Sequence, residues 1–485
     1  MRDPIYASPE SVGIRSEDIL KFIKYVEDNK INLHSFLFMK NGIIVAEGYY
    51  PPFDESFSHR LYSDSKTYVA VAVGMLVTEG RVSLSDRVLD FFPEYNTERV
   101  PELMLECTVE DALMMSTPHV AGARVSVERT DNPYEQPCQQ PSGTVFNYND
   151  GNMMCTAIVE RVTGMRFLDY MRPLFDRLGI GEDIKCLIDI DGISWGGSGI
   201  LSTMRDFATF AEFVRNKGEY MGEQLVDREY MERMTSLRTT TVASNFYSQL
   251  STYGYGYQTW ITPDAACLRG MGCQEAFCFN EKGLLFVCLG DSQVDPQDFS
   301  DTRVYEAVKY LVYDEIGAPM PEGEAYERLK KKLTDLHLPL YGAPHAQYER
   351  ELSDAYYVLG ENAMGWSDVR LHISGEEGSL TYRNARGVKT VRFGMGKYLK
   401  GKFPETHYYD EQRGVPSGRE LDCLAIAEWI EERKILLRVY ITDVSFANLF
   451  CVIAFKGDRI VLQLKKRGEF LLEDYGGIAT GNIVK

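Results

Sequence analysis

Histidine is scarce in this chain. Seven occur in 485 residues, none spaced as His-x-His or His-Glu-x-x-His. No Cys/His cluster accompanies them, so neither a structural nor a catalytic metal is expected, and no cofactor is implied. Cysteine occurs ten times but never as Cys-x-x-Cys. No apolar run approaches the roughly 20 residues that cross a bilayer. The longest, Tyr68 to Val77, reads as a buried helix. Met1-Arg2-Asp3-Pro4 turns polar again at Ser8-Pro9-Glu10, so no secretory signal is expected. The cysteines then read as free, mostly buried thiols in a reducing cytoplasm. Positive charge is in deficit, with 52 Lys and Arg against 71 Asp and Glu and a formal net charge of −19. That balance argues against nucleic acid or an anionic membrane surface as the partner.

Hydrophobic residues make up 44% and charged residues 25%, enough apolar material for a large core. Ile19, Leu20, Ile23 and Val26 have helical spacing over 16–28. Two strand-like runs, His34 to Met39 and Ile43 to Tyr50, flank Asn41-Gly42, a strong hairpin signal. A long apolar helix is expected from Ser63 to Glu79, ending at Gly80. Thr108 with Asp111 reads as an acidic capping box. Helical patterns recur at 151–163, 165–177 and 203–217. Strand-like runs at Glu275–Asn280 and Leu284–Leu289 precede a helix from Asp301 to Ile316. Residues 319–335 read as a linker containing a charged helical stretch. Beyond 336, short β-rich runs alternate with polar turns (Val369–Ile373, Ser379–Tyr382, Ile435–Thr442, Leu449–Phe455, Ile460–Leu464). These features divide the chain into an α+β part over 1–318 and an antiparallel β domain over 336–485.

The segment that carries chemistry is Ser63-Asp64-Ser65-Lys66. A Ser and a Lys three residues apart lie on one helix face, so the amine can reach the hydroxyl. The helix behind them is apolar nearly all round and must be buried. A desolvated lysine loses proton affinity and can serve as a base, and a helix N-terminus favours a developing alkoxide.

Together with its context this segment resembles the serine β-lactamase-like superfamily, in the branch of class C β-lactamases, DD-peptidases and related esterases. The resemblance is carried by Leu61–Thr67, Gly74–Gly80, Leu84–Glu94 and Thr108–Thr117, in the family's order. Pro141-Ser142-Gly143-Thr144-Val145-Phe146-Asn147-Tyr148-Asn149-Asp150 is similar to its Pro-Gly-x-x-Phe-x-Tyr-x-Asn segment. Trp195–Thr203 and Tyr253–Tyr257 resemble segments on either side. Over about 10–315, this implies an antiparallel sheet flanked by helices, with a helical subdomain. The family's chemistry would make Ser63 the nucleophile, with Lys66 and Tyr148 sharing proton transfer. A phenol near an ammonium has its anion stabilised and can shuttle the proton. A strand carrying Lys-Thr-Gly or His-x-Gly is also implied. The candidate is Arg269-Gly270-Met271-Gly272-Cys273-Gln274, with the triplet at Met271-Gly272-Cys273. The oxyanion hole would then be the backbone N–H groups of Ser63 and Gln274, or Cys273 in a register shifted by one.

Two departures bear on the substrate. Asp150 stands where the family has Asn, and a carboxylate near Lys66 would favour its ammonium form. Met271 stands where penicillin-recognising members have a cation for the substrate carboxylate, which makes β-lactam or peptidoglycan turnover unexpected. With Gly272 and Cys273, both are expected to line the substrate site. Cys273 reads as a small hydrophobe and His119 as a loop histidine. The expected activity is hydrolysis of a small ester or amide through an acyl-enzyme. An acyltransferase using the same intermediate, or an inactive ligand binder, is the alternative, and an oligomer is compatible with either.

Overall fold

The structure is a computed structural model. It describes residues 4–119, 132–149, 151–189, 192–241, 253–292, 300–352, 355–406, 418–468 and 475–484. The chain divides into two compact units, one formed by 1–292 with 296–337 and the other by 338–485 with 293–295.

The first unit opens with α1 (Ser16–Asp28) and the hairpin β1 (Leu33–Lys40) and β2 (Ile43–Tyr49). Asn41 and Gly42 both take positive φ, 49° and 81°, as the tight turn requires. Then follow β3 (His59–Arg60), α2 (Ser65–Thr78), α3 (Glu102–Leu105), α4 (Val109–Leu113), α5 (Gly151–Thr163), α6 (Phe167–Leu178), β4 (Lys185–Cys186), β5 (Ile200–Ser202) and α7 (Met204–Arg215). A small hairpin β6 (Glu219–Tyr220) and β7 (Glu223–Gln224) leads to α8 (Arg228–Met234). The sheet resumes with β8 (Gly254–Tyr255), β9 (Trp260–Ile261), β10 (Ala265–Gly270), β11 (Gln274–Phe279) and β12 (Leu284–Gly290). The helices α9 (Ser300–Val308) and α10 (Glu324–Thr334) complete the unit.

The main sheet runs β2-β1-β12-β11-β10-β9-β8, antiparallel throughout, with strands from both ends of the unit meeting at β1 and β12. Its inner strands are buried on both faces, which explains their continuous apolar runs. Alternate residues serve the two faces. Phe36, Phe38, Phe277 and Phe286 form an aromatic layer with Phe22 of α1; the Phe22–Phe38 and Phe22–Phe286 centroids are each 5.2 Å apart. Leu37, Cys278, Leu285 and Val287 face the other way, into a core shared with α2, α5, α6 and α7. At the centre of that core α2 is buried from Ser65 to Gly74. Burying each of its larger apolar side chains contributes about 1.5–3 kcal/mol.

The second unit contains β13 (Tyr356–Leu359), β14 (Asp368–Ser374), β15 (Glu377–Asn384), β16 (Gly387–Met395), β17 (Leu399–Lys402), β18 (Asp422–Glu431), β19 (Lys434–Thr442), β20 (Phe446–Lys456), β21 (Arg459–Gly468) and β22 (Gly477–Ile483). Neighbours pair antiparallel in the order β16-β15-β14-β13-β22-β21-β20-β19-β18-β17. A parallel contact between β16 and β18, Gly394 with Ile426 and Met395 with Ala427, closes the sheet into a barrel. Closure removes the exposed edges that an open sheet of this length would carry. Alternate residues such as Leu371, Leu380, Ile453 and Leu462 fill the interior.

Candidate active site

Ser63 lies in a single 3-10 turn, Tyr62–Asp64, that runs directly into α2. From Leu61 to Ala70 it is the one residue that is not buried. The preceding Tyr62 takes φ +49°, a left-handed conformation rare for an aromatic residue. The surroundings hold it there. Leu61 donates its N–H to the Ile200 carbonyl at 2.8 Å, and the Arg60 guanidinium lies 4.5 Å from the Tyr62 ring centroid. Strain held by its surroundings is a common property of reactive turns.

Lys66 Nζ stands 2.9 Å from Ser63 Oγ and 2.6 Å from the Gly197 carbonyl oxygen. The residue is 6% exposed. The second contact comes from a loop 131 residues away, Trp195–Gly199, which the sequence flagged without a role. Arg60 Nε donates to the Ser198 carbonyl at 2.8 Å, and Ile200 N–H donates to Ser65 Oγ at 3.0 Å. Gly197 is required by proximity, since a Cβ there would come within 2.4 Å of the Asn152 amide. With that amide oriented to satisfy its neighbours, Asn152 accepts from Gly197 N–H at 3.0 Å. Asn152 thus fixes the carbonyl that receives the lysine.

Tyr148 joins Lys66 in space. Lys66 Nζ is 4.9 Å from the Tyr148 ring centroid. The ring stacks on Trp260 at 5.5 Å and 20°, and Tyr255 meets it edge-on at 6.3 Å. This aromatic wall fixes the ring's plane beside the amine. Asp150, expected near Lys66, lies outside the described residues.

Met271, Gly272 and Cys273 do not lie on a strand. They form the turn between β10 and β11, because Gly272 (φ 87°) and Cys273 (φ 73°) are both left-handed and reverse the chain. Gly270, just before the turn, packs so closely on the Ser63 segment that a Cβ would come within 2.1 Å of the Leu61 carbonyl oxygen. The hairpin therefore borders Ser63. Met271 is 46% exposed at its tip. Gln274 is fully buried, and its side-chain amide donates to the Met271 and Gly290 carbonyls at 3.0 and 2.8 Å. Cys273 is buried, and a hydrogen bond with Cys288, followed by burial, pushes its thiol well above the ordinary value. That leaves it a packing residue. His119 is 1% exposed, and burial lowers its ring to about 4, so it is neutral near pH 7.

Arg269 offers no open cation to this site. It is ion-paired with Asp301, approaches Glu275 at 3.6 Å and lies 5.5 Å from the Trp260 ring centroid. Asp64 and Glu275, both buried carboxyls, were not singled out in the sequence. Among the described residues no group of three His, Cys, Asp or Glu is arranged to hold a metal ion. Nor is any helix among them long and apolar enough to cross a membrane.

A serine and a lysine in contact at the start of a buried helix, beside the β10–β11 turn and a tyrosine, make this a serine hydrolase of the kind the sequence motifs suggested. The family comparison agrees: the β-lactamase model matches residues 22–310, and the chain belongs to that family. It is 27% identical over 286 residues to the 6-aminohexanoate-dimer hydrolase of Paenarthrobacter ureafaciens, covering 54% of this chain and 72% of that one. Among solved structures, a Bacillus anthracis protein assigned as a 6-aminohexanoate-dimer hydrolase is similar at TM-score 0.50 and 18% identity, over 69% of this chain and 89% of that one. An octameric penicillin-binding protein homologue from Pyrococcus abyssi covers 96% of this chain and 99% of its own, at TM-score 0.46 and 15% identity.

Proposed function

We propose that the chain hydrolyses a small ester or amide through an acyl-enzyme on Ser63. The 2.9 Å approach of Lys66 Nζ to Ser63 Oγ carries this reading. Lys66, with Tyr148 beside it, takes the hydroxyl proton as Oγ attacks the substrate carbonyl. The negative charge moves to the carbonyl oxygen, where the N–H of Ser63 and one from the hairpin, Gln274 in the expected register, stabilise it. Collapse expels the alcohol or amine, which leaves with the transferred proton. Water then attacks the ester on Ser63 by the reverse proton route and releases the acid.

The surroundings favour an uncharged acyl group. Arg269 is already paired, and Met271 presents a thioether that adapts to apolar shapes. A carboxylate placed beside it would find no cation on this hairpin, since Arg269 is engaged with Asp301 and Glu275. The relative's name gives a 6-aminohexanoate dimer as its substrate, so that compound belongs on the panel with p-nitrophenyl esters. The test is rapid mixing with a p-nitrophenyl ester, followed by acid quench and intact mass. The expected result is a burst and an acyl adduct that Ser63→Ala lacks. A Ser63→Ala variant that keeps more than about a thousandth of the wild-type rate contradicts the reading.

A further inference from the structure

Arg60 stands three residues before Ser63 and is 1% exposed. It ends β3, where it pairs with Leu201 of β5. Burying a guanidinium is costly unless its donors and its charge find partners. Here its contacts fall on two separate segments. One is the Ser63 turn: the guanidinium carbon lies 4.5 Å from the ring centroid of Tyr62, the residue with φ +49° that leads directly into Ser63. The other is the Trp195–Gly199 loop. The same carbon lies 4.6 Å from the Trp195 ring centroid, and Nε and Nη2 donate to the Ser198 carbonyl and Oγ at 2.8 and 3.2 Å.

Gripping Ser198 grips Gly197. The Trp195 carbonyl accepts from the Ser198 and Gly199 N–H groups at 3.1 and 2.7 Å, which closes the loop into one tight turn. Beneath it, a Cβ on Gly196 would come within 2.5 Å of Val69 on α2 and 2.2 Å of Thr156 on α5, so the turn is seated directly on both helices. The Gly197 carbonyl, one residue before Ser198, accepts from Lys66 Nζ at 2.6 Å. A guanidinium suits this position because its plane meets aromatic rings while its edge donates in a fixed fork. An ammonium is a point charge with neither plane nor fork.

We propose that Arg60 is a positioning residue for acylation: one buried guanidinium ties the Ser63 turn to the loop that receives Lys66, and so fixes the hydroxyl against the amine. The proposal rests on the acyl-enzyme reading of Ser63. Arg60 acts through Tyr62 and Ser198, and its loss lets the turn and the loop shift independently. A displacement of about 1 Å between reacting groups costs on the order of a hundredfold in rate.

The test is fluorophosphonate labelling of the full chain, followed in time over a range of probe concentrations. It yields the labelled fraction at the plateau, the rate constant at saturation and the half-saturating concentration. Arg60→Lys keeps the charge and removes the plane and the fork. It should reach the wild-type plateau with a half-saturating concentration within about twofold, while the rate constant falls about tenfold or more. A merely structural role would do the reverse, lowering the plateau as folded chain is lost and leaving the rate constant of the remainder unchanged. Trp195→Leu removes one ring and leaves Arg60 in place; the same split is expected, with the rate constant lowered roughly 2- to 30-fold, the worth of one cation–π contact. Three results overturn the proposal while the Ser63 reading stands. They are an Arg60→Lys protein with the wild-type rate constant, one whose only change is a higher half-saturating concentration, and one that loses its plateau while Trp195→Leu labels as fast as wild type. A wild type that takes no label overturns both.

Discussion

Replacing Gly197 by Ala tests whether the Trp195–Gly199 loop orients Lys66. The added Cβ would stand 2.4 Å from the terminal amide of Asn152, which is itself 2% exposed and has little room to turn. Overpacking of this kind costs about 1–3 kcal/mol, read as a lower unfolding midpoint. The clash is relieved by the loop moving off α5, and the Gly197 carbonyl moves with it. That carbonyl accepts from Lys66 Nζ at 2.6 Å. Leaving a buried hydrogen-bond partner unsatisfied costs about 1–3 kcal/mol. If this bond is what aims the amine at Ser63, acylation slows by roughly 5- to 150-fold. The assay is the burst rate with a p-nitrophenyl ester, with urea unfolding run in parallel. Asn152→Ala in the same chain makes room for the new methyl and should recover part of the rate. A Gly197→Ala protein that loses stability yet acylates within about twofold of wild type refutes the reasoning, since a group that aims the base cannot move without a rate cost.

In the second unit Arg438 and Glu428 form a nearly fully buried ion pair at 2.7 Å, so Arg438→Met should destabilise by about 3–5 kcal/mol in urea, and an unchanged midpoint would contradict that. His34 Nδ1 and His59 Nε2 lie 2.8 Å apart, and burial lowers both rings, His59 to about 3. The unfolded chain therefore binds protons first as pH falls below about 6.5, so the histidines' contribution is present above that pH and is lost towards the folded value, at up to about 1.4 kcal/mol per pH unit for each. The stability difference between wild type and His59→Gln should shrink over that window; a difference that grows on acidification would reverse the sign. Native protein should hydrolyse short or medium acyl esters and leave nitrocefin untouched, whereas Met271→Lys should weaken turnover of apolar esters; efficient nitrocefin turnover by the native protein would show that another group supplies the missing cation.

Features whose signal is local in sequence were legible. The Asn41-Gly42 turn, the capping box of Thr108 and Asp111, and the all-apolar helix behind Ser63 each depend on neighbours within a few residues, and each is present. The Ser63–Lys66 contact was legible for the same reason, being one helical turn. What stayed hidden depends on distant chain segments. β3, β4 and β5 are two or three residues long, too short for alternation to register, yet they hold the start of α2. The Gly197 carbonyl is a backbone group and carries no residue signature. Asp64 looked like an ordinary polar residue at a helix start, and Glu275 like the first residue of an apolar strand. Their shared burial appears only when β10 and β11 fold onto α2. The parallel closure of the barrel rests on two residue pairs between β16 and β18, which no periodicity encodes.

The central claim is that Ser63 is the activated nucleophile, and covalent labelling tests it most directly. Wild-type protein and Ser63→Ala are incubated with a fluorophosphonate, digested, and mapped by mass spectrometry. The account predicts one adduct, on the peptide containing Ser63, and none in the variant. An adduct on another residue, or equal labelling of both proteins, would contradict it.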